Sequence, residues 1–262
     1  MKLALSQANP TNGDEGAAFA HIQNSLDAAA RAGAQMLVVP ELFLPGYNCP
    51  DLHAARAEDL QGALMTRLRR MVAAAGCGLT LGWAERDGDA VFNAATAITP
   101  DGRIAAHYRK IQLYGAMERN SFQPGTAPPP VFDLGGRRFG LLICYDIEFP
   151  GHAADLARRG AEIVLVPTAN PVGFEHVQNV LVPARAFENR LVVAYANYCG
   201  TERGLAFGGQ SRIVGPDAAA LAGAGAQPAL LITELPTLSD YPAGLLSTQD
   251  RDYCPLPASP GA

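Results

Sequence analysis

A layered α/β sandwich is the fold this chain predicts, on three observations. Short apolar runs with strand character alternate with segments of helical spacing along most of its length. Its 262 residues, 48% of them hydrophobic, suffice to bury a large core as one domain over residues 1–262. An eleven-residue stretch also occurs twice in related form. Ala30-Arg-Ala-Gly-Ala-Gln-Met-Leu-Val-Val-Pro40 is paralleled by Ala157-Arg-Arg-Gly-Ala-Glu-Ile-Val-Leu-Val-Pro167, each a helix end, a glycine stop and an apolar strand closed by proline. Such joints recur by chance in α/β folds. If the parallel instead reflects two related halves, Glu41 and Thr168 occupy matching strand exits and border one cleft, since ligands of open α/β sheets sit beyond the carboxyl ends of strands.

The elements follow in order. Lys2 to Ala8 reads as a strand, and Ala17 to Arg31 as a helix, because Phe19, Ile22 and Leu26 fall at helical intervals before Gly33. Gln35 to Val39 is the next strand, Leu64 to Ala75 a second helix, and Gly78 to Ala84 and Ala90 to Thr99 two further strands. Pro100-Asp101-Gly102 turns the chain into a strand at Ile104 to Tyr108, and Gly135-Gly136 joins Val131–Leu134 to Arg138–Cys144. A helix near His152 to Arg159, a strand at Glu162 to Val166 and a helix around Val177 to Asn189 follow. Strands at Leu191 to Ala196, Gly209 to Val214 and Ala229 to Glu234 complete the pattern.

Composition excludes several function classes. A net charge of −5 with no run of Lys or Arg argues against nucleic acid as a partner. No segment approaches the length of a membrane span, and the start, with a single Lys and a short apolar stretch, does not read as a secretory signal. The expectation is a soluble, cytoplasmic protein with no membrane partner. Five scattered cysteines without a Cys-x-x-Cys pair indicate neither a disulfide framework nor a zinc site, and the five histidines show no metal-ligand spacing, so no metal and no cofactor are expected.

Three residues carry the chemistry. Cys144 follows the apolar run Phe139-Gly-Leu-Leu-Ile143, so a buried strand delivers a thiol into a turn; taken singly, most such cysteines are inert core. Glu41 closes Val38-Val39-Pro40, where an unpaired carboxylate would have its pKa pushed upward, as suits a general base; a lone Glu at a strand end is more often a cap or an ion-pair partner. Lys110 lies among apolar and aromatic neighbours in Tyr108-Arg-Lys-Ile-Gln-Leu-Tyr-Gly115, although a single Lys is ordinarily a solvated surface charge. A carboxylate, an ammonium and a thiol together are the parts needed to activate a sulfur nucleophile and hold an oxyanion.

Pro40-Glu41-Leu-Phe, Tyr108-Arg-Lys110-x-x-Leu and Cys144-Tyr-Asp146 with Phe149-Pro150 resemble, in order, the three motifs of the nitrilase superfamily of carbon–nitrogen hydrolases. The resemblance extends to Gln210-Ser-Arg-Ile-Val-Gly-Pro216 and implies an αββα sandwich of two similar halves. It also implies a catalytic set of Glu41, Lys110 and Cys144, with Glu118 in Tyr114-Gly-Ala-Met-Glu-Arg-Asn120 as a second glutamate that orients lysine and substrate. The alternative for Glu118, a loop residue paired with Arg119 or a neighbour, is the less favoured reading. The expected reaction is hydrolysis of an amide through a Cys144 thioester, with the oxyanion held by Lys110 and the backbone N–H of Tyr145.

Branches acting on dicarboxylate monoamides carry an Arg shortly after Cys-Tyr-Asp, whereas this chain has Ile147-Glu148, which would repel anionic substrates. With Ala194-Tyr-Ala-Asn-Tyr-Cys-Gly200, this motif is similar to the (R)-stereoselective amidase-like branch, and implies a small neutral or amino-acid amide as substrate. Gly151 departs from a Glu common at that position. Tyr47, Tyr145, Asn170 and Phe174 are candidate pocket residues, although Tyr47 and Asn170 also suit turns. The Pro-rich tail, residues 241–262, does not read as a regular element, and the resemblance implies that it reaches a partner subunit in at least a homodimer. Two alternatives stay open: a nitrilase proper, and a non-catalytic binding module of the same fold.

Overall fold

The computed structural model describes residues 1–242 and 244–254. In chain order its elements are β1 (Lys2–Gln7), α1 (Glu15–Arg31), β2 (Ala34–Val38), α2 (Pro50–Arg56), α3 (Ala63–Ala75), β3 (Gly78–Asp87), β4 (Ala90–Ile98), β5 (Ile104–Arg109) and α4 (Gly115–Ser121). There follow β6 (Val131–Leu134), β7 (Arg137–Leu141), α5 (Pro150–Arg158), β8 (Ile163–Pro167), α6 (Val182–Asn189), β9 (Val192–Ala196), β10 (Cys199–Glu202), β11 (Leu205–Gly208), β12 (Arg212–Val214), β13 (Ala220–Gly223), β14 (Ala229–Glu234) and α7 (Gln249–Asp252).

Two six-stranded sheets, ordered β14-β1-β2-β3-β4-β5 and β13-β12-β9-β8-β7-β6, stack face to face. The central strands β1, β2 and β3 are parallel, as are β7, β8 and β9, and antiparallel strands extend both sheets. Parallel strands are buried on both faces and so need apolar side chains on both, which explains the unbroken runs Met36-Leu-Val38 and Ile163-Val-Leu-Val166. Alternate residues divide between layers. Leu3, Leu5, Met36 and Val38 meet Phe139, Leu141, Ile163 and Leu165 between the sheets. Leu37, Leu79 and Leu81 face outward beneath Phe19, Ile22 and Leu26 of α1 and Leu64, Leu68 and Val72 of α3, while Val164, Val166 and Val193 lie beneath Leu156 of α5 and Val182 and Ala186 of α6. The layers are therefore α-β-β-α. Both strands of the internal parallel, β2 and β8, lie inside their sheets, and the backbone N–H of Glu41 donates to the carbonyl of Thr168 at 3.3 Å, so the two exits border one cleft.

Several boundaries differ from the sequence expectation. The strand drawn through Cys144 stops at Leu141: Leu142 N still donates to Leu165 O at 3.0 Å, but the Ile143 N–H turns to the Asp146 carboxylate, which starts a tight turn. The helix expected over Val177–Asn189 begins as a π-helical turn, Val177–Leu181, and becomes α-helical at Val182; Pro183 supplies no N–H, which favours such a change in the hydrogen-bond pattern. β12 is shorter than Gly209–Val214 because Gly209 and Gln210 have positive φ. Short elements α2, α4, β10, β11, β13 and α7 were not expected. In the tail, α7 is a single helical turn whose Asp250 pairs with Arg190 at the end of α6; residues 255–262 of the expected interface extension lie outside the described residues. Among the described residues no helix is long and apolar enough to cross a membrane.

Candidate active site

Past β2, Val39-Pro40 lead into Glu41, which is fully buried. The neighbouring β3 passes so close that a Cβ on Gly82 would lie 2.4 Å from the Leu42 nitrogen and 2.6 Å from the Glu41 Cα, an approach only glycine permits. Glu41 Oε1 accepts from Asn93 Nδ2 of β4 at 2.7 Å. Lys110, just past β5, is fixed by its backbone: its N–H donates to Asn93 O and its carbonyl accepts from Gly125 N, both at 2.8 Å.

The Lys110 ammonium, also fully buried, donates to Glu41 Oε1 at 2.6 Å and to Glu118 Oε1 at 2.7 Å. Glu118 on α4 is in turn held by the Tyr47 hydroxyl at 2.8 Å and the Tyr114 backbone N–H at 3.0 Å. An ammonium has three donors, and these contacts use two of them. Burial alone would pull the lysine pKa down, but the charges of Glu118 and Glu41 outweigh it and hold the ammonium well above its ordinary value. Burial, aided by the charge of Glu118 and opposed by Lys110 and Asn93, pushes the Glu41 carboxyl up to about 7. Its second oxygen, Oε2, is buried with no hydrogen-bond partner among the described residues.

Cys144 opens a 3₁₀ turn, Cys144–Glu148, with φ of 44°, a left-handed conformation that is strained for a residue bearing a Cβ. Asp146 holds that turn: its carboxylate accepts from Ile143 N at 3.1 Å, Gln112 N at 3.0 Å and the Tyr108 hydroxyl at 3.0 Å. One side chain thus ties the cysteine turn to the segment following Lys110. Burial and the nearby Glu41 charge push the Cys144 thiol up, with Lys110 opposing them, so it rests as a thiol that needs a base.

Cys144 and all four expected pocket residues, Tyr47, Tyr145, Asn170 and Phe174, line one small pocket with about 240 Å³ of empty volume including its mouth. Tyr114, Glu148, Ala169 and Pro171 complete the lining. Ring edges meet ring faces around it, Tyr114 standing 5.1 Å from Tyr145 and 5.9 Å from Phe174. Asn170 spends both amide donors on Phe174 O and Gln178 Oε1, at 3.0 and 2.8 Å, so it braces the wall. Sequence reading did not single out Tyr114, Asn93 or Gly82. Asn93, a polar residue inside the apolar run of β4, was the one signal available. Among the described residues no group of three or more His, Cys, Asp or Glu side chains is placed to hold a metal ion.

Residues 2–241 match the carbon-nitrogen hydrolase family model. The chain is 35% identical over 254 residues to an (R)-stereoselective amidase from a Pseudomonas species, covering 97% of this chain and 90% of that protein. To a nitrilase from Pyrococcus abyssi it is 35% identical over 224 residues, 84% of each chain. The structure is similar, at a TM-score of 0.86 and 39% identity, to that of an amidase from Nesterenkonia sp. AN1, covering 90% of this chain and 93% of that one. That structure is of a glutamate-to-glutamine variant of the amidase with acrylamide added at its active-site cysteine, and another variant was solved with butyramide. With the layered fold and the buried Glu-Lys-Glu cluster beside a cysteine turn, these matches establish that the chain belongs to the carbon-nitrogen hydrolase family, the nitrilase superfamily, as an amidase-like hydrolase.

Proposed function

We propose that the protein is a thiol amidohydrolase that cleaves a small carboxamide, neutral or derived from an amino acid, to the carboxylic acid and ammonia. The supporting observation is the Lys110 ammonium pinned between two buried carboxylates, with one donor left over, beside a pocket lined by Cys144. Glu41 accepts the thiol proton as the Cys144 sulfur attacks the amide carbon, and the remaining Lys110 N–H and the Tyr145 N–H hold the oxyanion. Tyr145 is the second residue of the turn, where a backbone N–H has no intrahelical acceptor. Glu41 passes its proton to the leaving nitrogen, the C–N bond breaks, and ammonia departs. A water that gives its proton to Glu41 then attacks the thioester; the acid leaves and the thiol regains the proton. Glu118 orients Lys110 throughout, and Tyr47 orients Glu118.

Ammonia release from neutral amides, amino-acid amides, dicarboxylate monoamides and nitriles tests this reading. Release from the first two classes, lost in Cys144→Ala, is the expected result; faster turnover of succinate or glutarate monoamides contradicts the substrate class. The 35% identity to the Pyrococcus nitrilase favours a second reading, attack on a nitrile through a thioimidate, and a nitrile rate above the amide rate would select it. We further propose a cytoplasmic protein, a reading supported by five free cysteines, and at least a homodimer with the tail segment 241–262 at the subunit contact.

A further inference from the structure

Beyond the catalytic cluster, one acidic side chain in the pocket has no partner. Glu148 closes the Cys144 turn and lines the same pocket as Cys144, and among the described residues its half-buried carboxylate makes no hydrogen bond and no ion pair. Of the three basic side chains whose charge it feels, two are engaged elsewhere. Lys110 pairs with Glu41 and Glu118 and does not reach Glu148, and Arg185 donates to the backbone carbonyls of Ile147 and Glu148, at 3.2 and 2.9 Å, and to Glu188 at 3.1 Å. The third, His176, is exposed beside Phe174. Burial pushes the Glu148 carboxyl up, and the charges of His176, Lys110 and Arg185 oppose that rise without cancelling it. The pocket wall around it is aromatic: Tyr145 packs edge-on against Phe149 and Tyr114, and Phe174 and Tyr47 complete it. A bare carboxylate among electron-rich ring faces is the chemistry that binds an organic ammonium.

We propose that Glu148 is a specificity residue that binds a positively charged amino group on the acyl part of the substrate, so that the preferred substrates are amino-acid amides and related amino-carboxamides. The proposal rests on the amidase reading above and narrows it. The ammonium takes no part in bond breaking; it fixes the acyl group against Glu148 while the carboxamide faces Cys144.

Racemic alaninamide and isobutyramide differ by an ammonium in place of a methyl group. They are to be compared at pH 7, below the ordinary α-amino pKa of about 7.7–8.0, in the wild type and Glu148→Gln. A charge-assisted contact predicts a wild-type kcat/KM ratio favouring alaninamide on the order of tenfold or more, and a fall of that ratio by a similar factor in Glu148→Gln. A wild-type preference below about fivefold, or a ratio that falls by less than about fivefold in the variant, overturns the proposal. If Glu148→Gln does not fold, titration of the Cys144→Ala protein with both amides decides: tighter binding of alaninamide by about fivefold or more supports the subsite, and a smaller difference overturns it. No ammonia from either amide with the wild type would count against the amidase reading, and the same titration would still read the subsite.

Discussion

Lys110 is buried without any route to discard its charge, and its two carboxylate partners sit within 2.7 Å. Removing it as Lys110→Ala withdraws an oxyanion donor and leaves Glu41 and Glu118 facing each other without a counter-charge. Turnover is expected to fall about 10² to 10³-fold, and chemical denaturation is expected to show a loss of roughly 3–5 kcal/mol, the scale of a broken buried pair. Near-wild-type turnover in the folded variant would remove the lysine from the mechanism. The Glu41 carboxyl, raised to about 7 by burial, sets the pH dependence. A raised pKa means the proton is held until the pH reaches that value, and a protonated Glu41 cannot accept one from Cys144. The rate constant kcat/KM should therefore climb about tenfold per pH unit up to about 7 and then level. A profile flat from pH 5 to 7 would contradict a base role for Glu41. Glu41 and Cys144 were legible because each ends an apolar run with an ionisable group, and Lys110 because it stands among apolar and aromatic neighbours. Asn93 and Tyr114 were not, since one acts through a side-chain amide inside a strand and the other through a backbone N–H.

The turn that opens at Cys144 depends on an element smaller than a helix. Asp146 satisfies three donors from three places, and Asp146→Ala leaves the buried Ile143 N and Tyr108 hydroxyl, and the partly buried Gln112 N, without acceptors. Each orphaned group costs about 1–3 kcal/mol. The variant is expected to melt many degrees lower and to lose activity even where it is folded; an unchanged melting temperature would show that the turn holds by other means. Gly82→Ala is a second probe of element placement. Its methyl would meet the Leu42 backbone, which has no rotamer to yield, and a cost of about 1–3 kcal/mol from overpacking is expected by urea unfolding. Long elements were legible because hydrophobic period and length agree, as in α1 and α3. Seven-residue α2 and α4 and the four-residue strands β10, β11 and β13 carry too few periods for a pattern to stand out. The end of β7 differs for another reason: Leu142 and Ile143 are as apolar and as buried as a strand, but the Ile143 N–H goes to a side chain of the turn instead of the neighbouring strand.

At the scale of the whole molecule, two sheets packed through Leu3, Leu5, Phe139 and Leu165 bring the exits of β2 and β8 against each other, and the Glu41 to Thr168 hydrogen bond joins them. The repeated helix-Gly-strand-Pro stretch was the sequence trace of that arrangement. How the halves meet was not legible, because the register between stacked sheets is set by side-chain packing rather than by any local pattern. The proposed homodimer predicts a sedimenting species of twice the monomer mass at micromolar concentration; a monomer independent of concentration would contradict it. The most direct test of the account is intact and peptide mass spectrometry of the enzyme quenched during turnover of an amide it hydrolyses. The account predicts an acyl increment on the peptide containing Cys144, absent in Cys144→Ala. Turnover that leaves Cys144 unacylated, or that persists in Cys144→Ala, would contradict it.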